Sequence, residues 1–190
     1  VPRASMVEVA EIAKHAAEAI RVGDPNAEDT VMGPVVSKKQ WSGIQRYIRS
    51  GINEGATLVT GGLGRPVDLP AGYFVQPTVF TEVTPEMTIA REEIFGPVLS
   101  IMAYDDEVHA VTIANDTPFG LAAYIESADL ARAQAVARRI RAGMIHLNGA
   151  VADPSAPFGG YRHSGNGREW GLYGLEEFTE IKAVMGYGEA

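Results

Sequence analysis

Two short segments of this sequence combine residue types at spacings that could do chemistry. The first is Glu92-Glu93-Ile94-Phe95-Gly96-Pro97. Along extended backbone, residues two apart share a side, so Glu93 and Phe95 face one way and Glu92 and Ile94 the other. A carboxylate beside an aromatic ring suits a sugar diol joined to a flat heterocycle. The carboxylate accepts two hydroxyl hydrogen bonds while the ring packs against the heterocycle. The same geometry makes Glu92 and Glu93 a poor acid–base dyad, because they point apart. A capped loop with a buried Phe is the competing reading. The second segment runs from Pro157-Phe158-Gly159-Gly160-Tyr161 through Arg162-His163-Ser164-Gly165-Asn166-Gly167-Arg168. Its glycines allow close backbone approach, and its aromatics and cations could line a pocket or clamp an anion. A tight structural turn is the alternative. The spacing matches neither the dinucleotide fingerprint nor a P-loop: three residues separate Gly167 from Gly171, and no Gly-Lys-Ser/Thr follows.

Other reactive types are scattered. His163 and Ser164 are adjacent and no Gly-x-Ser-x-Gly elbow exists, so Asp153, His163 and Ser164 do not form a hydrolase triad. His15, His109, His146 and His163 lack metal-ligand spacing, and no metal site is expected. His146 reads as a satisfied strand residue. Asn115-Asp116-Thr117 reads as a helix end rather than a glycosylation site. Lys182 reads as a solvated or interface charge. The 190 residues include no cysteine, which excludes disulfides, Cys-ligated zinc and any thiol nucleophile within this chain. A formal charge of −8 argues against nucleic acid as a partner, because phosphate neutralisation needs a basic surface. No run of 18 apolar residues exists, so no transmembrane helix and no membrane partner are expected. No secretory signal is visible, which makes the cytoplasm the default location. Val1 in place of Met hints that the natural start lies elsewhere.

The elements that must hold these segments alternate in period. Ser5 and Glu8 have capping-box spacing ahead of Val9, Ile12, Ala13, Ala16 and Ile20, which share a helical face closed by Gly23 and Pro25. Ser37 and Gln40 repeat the box before a helix through Trp41, Ile44 and Ile48 that ends at Gly55. A strand follows at Thr57 to Thr60. Tyr73 to Phe80 reads as extended, although Pro77 argues against a central ladder position. Thr84-Pro85 predicts a helix start. Val98 to Tyr104 reads as a strand and Asp105 caps a helix to about Asn115. Leu121 to Ile125 is a strand, Asp129 to Arg141 a helix closed by Gly143, and Met144 to Leu147 a strand. Ala150 to Gly174 is too rich in glycine to be core. Phe178 to Tyr187 reads as a final strand that pairs elsewhere, on another subunit. Alternating helices and strands predict an α/β fold with a mainly parallel sheet covered on both faces.

At the two segments named first, the chain resembles the NAD(P)-dependent aldehyde dehydrogenase superfamily. Gly72-Tyr73-Phe74-Val75-Gln76-Pro77-Thr78-Val79-Phe80, Ala114-Asn115-Asp116-Thr117-Pro118-Phe119-Gly120-Leu121 and Gly165-Asn166-Gly167-Arg168-Glu169 match as well, in family order and with family-like gaps. The resemblance implies a three-layer α/β/α catalytic-domain portion over 1–170 and a tail with an oligomerisation strand over 171–190. It implies oxidation of an aldehyde to a carboxylic acid with NAD or NADP through a cysteine thioester. The nucleophilic cysteine is then expected a few residues upstream of Val1. The general-base glutamate, the oxyanion-hole asparagine and the nucleotide-binding domain are expected further upstream, and the chain alone is expected to be inactive. Glu93 resembles the glutamate that holds the nicotinamide ribose, and Phe95 the aromatic packed beside it. Phe158 resembles the aromatic bordering the substrate tunnel, and Val151 and Ala152 fall where the tunnel entrance is lined. Phe178, Ile181 and Val184 fall in the segment resembling the intersubunit strand. Arg162-His163 departs from the commoner Lys-containing form, and neither carries an expected catalytic role. A stand-alone, non-catalytic α/β module for oligomerisation or regulation is the main alternative, and an unrelated nucleotide-sugar binder using Glu93 and Phe95 is a third.

Overall fold

A computed structural model describes residues 1–186 and 188, and the chain divides into two compact units, Val1–Ala110 and Val111–Ala190. The elements are α1 (Met6–Glu18), α2 (Lys38–Asn53), β1 (Thr57–Thr60), β2 (Thr78–Thr81), α3 (Thr88–Arg91), β3 (Val98–Ser100), α4 (Glu107–Asn115), β4 (Ala122–Ile125), α5 (Leu130–Ala137), β5 (Met144–Leu147) and α6 (Gly171–Glu176). The fold is α/β, as expected.

The first unit is organised about β2, whose four residues are all buried. β2 pairs antiparallel with β1 and parallel with β3. Successive side chains point to opposite faces. Phe80 packs with Ile44, Ile48, Val75 and Ile89, and Val79 packs with Met6 and Ile101. Helical residues from α2 and from α1 therefore meet opposite faces of one strand. Pro77 stands just before β2, outside its ladder, so a central strand tolerates it. The amphipathic α2 begins at Ser37, whose Oγ accepts from the Gln40 N–H at 3.2 Å, while Gln40 Oε1 accepts from the Val36 N–H. This is close to the expected reciprocal cap.

In the second unit β4 and β5 run parallel, with Ala122 opposite Met144 and Ile125 opposite Leu147. The connection between them carries α5, capped by Asp129 Oδ1 on the Arg132 N–H. α4 ends at Asn115 as predicted. The Asn115 amide donates to the Arg139 carbonyl and its oxygen accepts from the Arg141 N–H, which ties that helix end to the chain leaving α5.

Several expectations need correction. Among the described residues β1 pairs antiparallel, the other two pairings are parallel, and the single sheet that was expected is seen as one sheet of three strands and one of two. Ser5 makes no side-chain cap, because a 3-10 turn over Arg3–Ser5 already leads into α1. Thr84-Pro85 opens a turn closed by Met87 N–H to Thr84 C=O, not a helix. The cap of α4 falls to Asp106, which accepts from the His109 N–H, because Asp105 is drawn to Arg3. The strand predicted through Tyr104 stops at Ser100. The strand expected to pair on another subunit has no ladder within this single chain over its described residues, Phe178–Met185, and Tyr187 lies outside the described residues.

Candidate functional site

In the first unit, the segment between α3 and β3 is held from below and free above. The Tyr47 hydroxyl on α2 donates to Glu92 Oε2 at 2.9 Å. That bond to a carboxylate, followed by burial, holds the Tyr47 phenol above its ordinary pKa. Ile94 packs on the cluster around Ile44 and Phe80. Gln40 Nε2 donates to the Phe95 carbonyl at 2.9 Å. Gly96 seats the loop on α2, since a Cβ there would lie 2.6 Å from Ile44 Cδ1.

The alternation read from the sequence required extended backbone, and Phe95 instead has φ +53°, in the left-handed region. Ile94 is half-buried, whereas Glu92, Glu93 and Phe95 are all exposed, with Glu92 bonded back to Tyr47. A non-glycine residue held there is a local cost that surrounding contacts must offset. The Phe95 ring is 73% exposed, so the competing reading of a buried Phe fails. The Glu93 carboxylate enters none of the hydrogen bonds that fasten the loop. A solvent-facing carboxylate beside an exposed ring fits, by its chemistry, a ribose diol carrying a flat base.

In the second unit, the glycine-rich segment is stitched into a turn. Tyr161 N–H donates to the Gly120 carbonyl, His163 N–H to the Pro118 carbonyl, and Gly120 N–H to Ser164 Oγ. Arg162 Nη1 donates to the carbonyls of Asn115 and Thr117, at the end of α4. Arg168 Nη1 donates to the carbonyls of Gly160 and Gly167, with its guanidinium 5.2 Å over the Tyr161 ring. The Nη1 group of each guanidinium is thus engaged with carbonyl oxygens of the turn. Close approach is real, because a Cβ on Gly143 would lie 1.8 Å from the Gly159 carbonyl oxygen.

Phe158 is half-buried. It exchanges two backbone hydrogen bonds of 2.7 Å with Glu169, and its ring lies 4.9 Å from Trp170 at 43°. Phe158, Asn166, Arg168 and Glu177 are among the residues lining a shallow cleft of about 240 Å3. Val151 and Ala152 are exposed on the loop before it. That loop is shaped by Asp153, whose Oδ1 accepts from the Ser155 hydroxyl and N–H, and these bonds hold its carboxyl below the usual range. Phe178, Ile181 and Val184 are 90%, 99% and 60% exposed.

The remaining reactive types behave as structure. His146 stacks on Tyr124 at 4.8 Å, and its Nδ1 stands 2.9 Å from the Ala150 carbonyl. Among the described residues no three His, Asp or Glu side chains stand close enough to hold a metal ion, and no helix is long and apolar enough to cross a membrane. Sequence reasoning missed Trp170 and Gly171, whose positive φ values of +64° and +58° leave no trace in a hydropathy pattern.

The chain matches the model of the aldehyde dehydrogenase family over residues 1–184. It is 57% identical over 187 residues to a 3-succinoylsemialdehyde-pyridine dehydrogenase from a Pseudomonas species, covering 98% of this chain and 39% of that protein. A crystal structure of an aldehyde dehydrogenase C variant from Pseudomonas syringae, in complex with NAD+ and octanal, superposes with a TM-score of 0.98 at 52% identity. That match covers all of this chain and 39% of the other. A Mycobacterium tuberculosis aldehyde dehydrogenase complexed with NAD+ gives 0.93 at 44% identity, over all of this chain and 40% of the other. The chain thus spans about two fifths of the length of these relatives.

Proposed function

Because the chain belongs to the aldehyde dehydrogenase family, we propose that it forms part of an oxidoreductase that converts an aldehyde and water to a carboxylic acid while reducing NAD or NADP. The observation that carries this reading on the chain itself is the outward pair of Glu93 and Phe95. Glu93 accepts hydrogen bonds from the ribose hydroxyls, and the Phe95 ring packs beside the ribose and base. When bound, the dinucleotide supplies the hydride acceptor. With no cysteine among the 190 residues, the thiolate nucleophile comes from residues outside this sequence. The general base and the nucleotide-binding domain are assigned outside it as well.

In this reading Phe158, Val151 and Ala152 border the path of the aldehyde. Phe178, Ile181 and Val184 lie on a strand that forms only against a second subunit. Residues 1–170 contribute to a three-layer α/β/α catalytic domain, and 171–190 form its oligomerisation tail. The relatives' names point to aldehydes ranging from an alkyl chain to one carrying a pyridine ring, so octanal is the first substrate to try.

The test is dinucleotide reduction by the polypeptide that contains this chain, followed by absorbance with octanal and either dinucleotide. Aldehyde-dependent turnover is expected, and none from residues 1–190 alone. Glu93→Gln is expected to raise the KM for dinucleotide about tenfold, the scale of one hydrogen bond to a charged group, and to leave the aldehyde KM within about threefold. An unchanged dinucleotide KM would remove Glu93 from the cofactor site. No turnover with any aldehyde would favour a non-catalytic module for assembly or regulation.

A further inference from the structure

The two flanks assigned to the aldehyde path converge on one tripeptide of the second unit, Glu169-Trp170-Gly171. Glu169 exchanges both backbone hydrogen bonds with Phe158 at 2.7 Å. The Trp170 indole lies against the Phe158 ring at 4.9 Å. The Gly171 N–H donates to the Pro154 carbonyl at 3.2 Å, and a Cβ on Gly171 would lie 2.2 Å from the Ser155 carbonyl oxygen. No side chain fits at 171, so the loop carrying Val151 and Ala152 rests directly on this backbone.

Trp170 holds this junction in an unusual conformation. Its φ of +64° and ψ of 159° fall in a region populated essentially by glycine alone. A large aromatic residue stays there only when its surroundings over-determine it. Two restraints do so here: the ring contact with Phe158, and the Gly174 N–H donating to the Trp170 carbonyl at 2.9 Å within the first turn of α6. The strained backbone aims the indole at Phe158 while Gly171 meets the 151–155 loop. The indole stands against one side of the Phe158 ring.

We propose that Trp170 is a positioning residue that sets selectivity for aldehyde size, acting through the ring of Phe158 and, by way of Gly171, through the Val151–Ser155 loop. The inference rests on the reading that Phe158 borders the aldehyde path. Trp170 itself is not placed in contact with substrate or dinucleotide.

The test uses the complete enzyme and straight-chain aldehydes from propanal to decanal, with benzaldehyde as a flat probe. Trp170→Gly removes the indole while relieving the backbone, so the variant is not biased toward misfolding. It is expected to reduce the spread of kcat/KM between the best and worst aldehydes by about tenfold, chiefly through KM, the scale on which apolar pocket contacts discriminate. The KM for dinucleotide and the kcat at saturating small aldehyde should stay within about threefold. Trp170→Phe should keep the native profile. A native profile in Trp170→Gly overturns the proposal, and so does a uniform fall for all aldehydes together with a raised dinucleotide KM, which marks a purely structural role. Phe158→Ala is run alongside. If it alters the profile and Trp170→Gly does not, the positioning role fails while the aldehyde path stands. If neither alters it, the assignment of Phe158 fails and the inference falls with it.

Discussion

At the scale of single residues, this chain spends its polar groups mostly on its own carbonyls and amides. Glu54 is an example: its carboxylate accepts from the Ser50 hydroxyl, the Thr88 hydroxyl and the Thr88 N–H, each at 2.6 Å. These bonds, led by that from Ser50, hold its carboxyl below the ordinary value of 4.5. A carboxyl depressed in the folded state stabilises the fold above its unfolded-state pKa, and that contribution disappears as pH falls through the folded-state pKa. Glu54→Gln should therefore melt at a lower temperature than the parent above about pH 5, with the gap closing on acidification. Melting curves at several pH values check this, and a gap independent of pH would show that Glu54 acts through packing alone. Glu93 contrasts with Glu54. It fastens nothing in the loop, which is why a role toward a ligand is assigned to it rather than a role in stability.

At the scale of elements, the loop that presents Glu93 and Phe95 is positioned by contact between α2 and the Gly96 backbone. Ile44 is fully buried, and three of its carbons would lie within 3.2 Å of a Cβ at position 96. The buried Ile44 side chain has little room to move aside. Gly96→Ala should lower the unfolding free energy by about 1–3 kcal/mol through overpacking, read from the denaturant midpoint. The same variant should displace Phe95 and raise the dinucleotide KM of the complete enzyme. An unaltered midpoint would mean that α2 and the loop are packed more loosely than their spacing implies. The left-handed Phe95 belongs to this account as well: its ring is turned outward because Ile94 is anchored on one side and Gly96 is pressed against a helix on the other.

At the scale of the whole molecule, the two compact units divide the proposed labour. Glu93 and Phe95 lie in the first, while Phe158, Val151, Ala152 and the exposed tail lie in the second. Phe178, Ile181, Val184 and Met185 are all largely exposed. Exposed apolar side chains gathered in one short segment seek a partner surface. The chain on its own should therefore self-associate. Light scattering across a concentration series should report a mass above that of one chain, and Phe178→Asp with Ile181→Asp should return it toward a monomer without changing the circular dichroism. A monomer at every concentration would remove this segment as an assembly strand.

Much of this was legible in the letters. Ser37 and Gln40 marked the start of α2, and Thr57 to Thr60 and Met144 to Leu147 marked two strands to the residue. These signals are local: a side chain meets a backbone N–H a few residues away, or apolar residues repeat with a helix or strand period, and no distant partner has to be known. What only the tertiary structure decided depended on distant partners. Asp105 gave up its cap to Asp106 because Arg3, far away in sequence, took its carboxylate. Arg162 and Arg168 find carbonyl partners for their Nη1 groups that only the folded turn brings near. Trp170 looked like one more aromatic in a glycine-rich stretch, yet its backbone conformation is held by the Phe158 ring beside it and the Gly174 N–H on its carbonyl. A local pattern states what a residue can do, and the partners assembled by folding decide which of those possibilities it is left free to use.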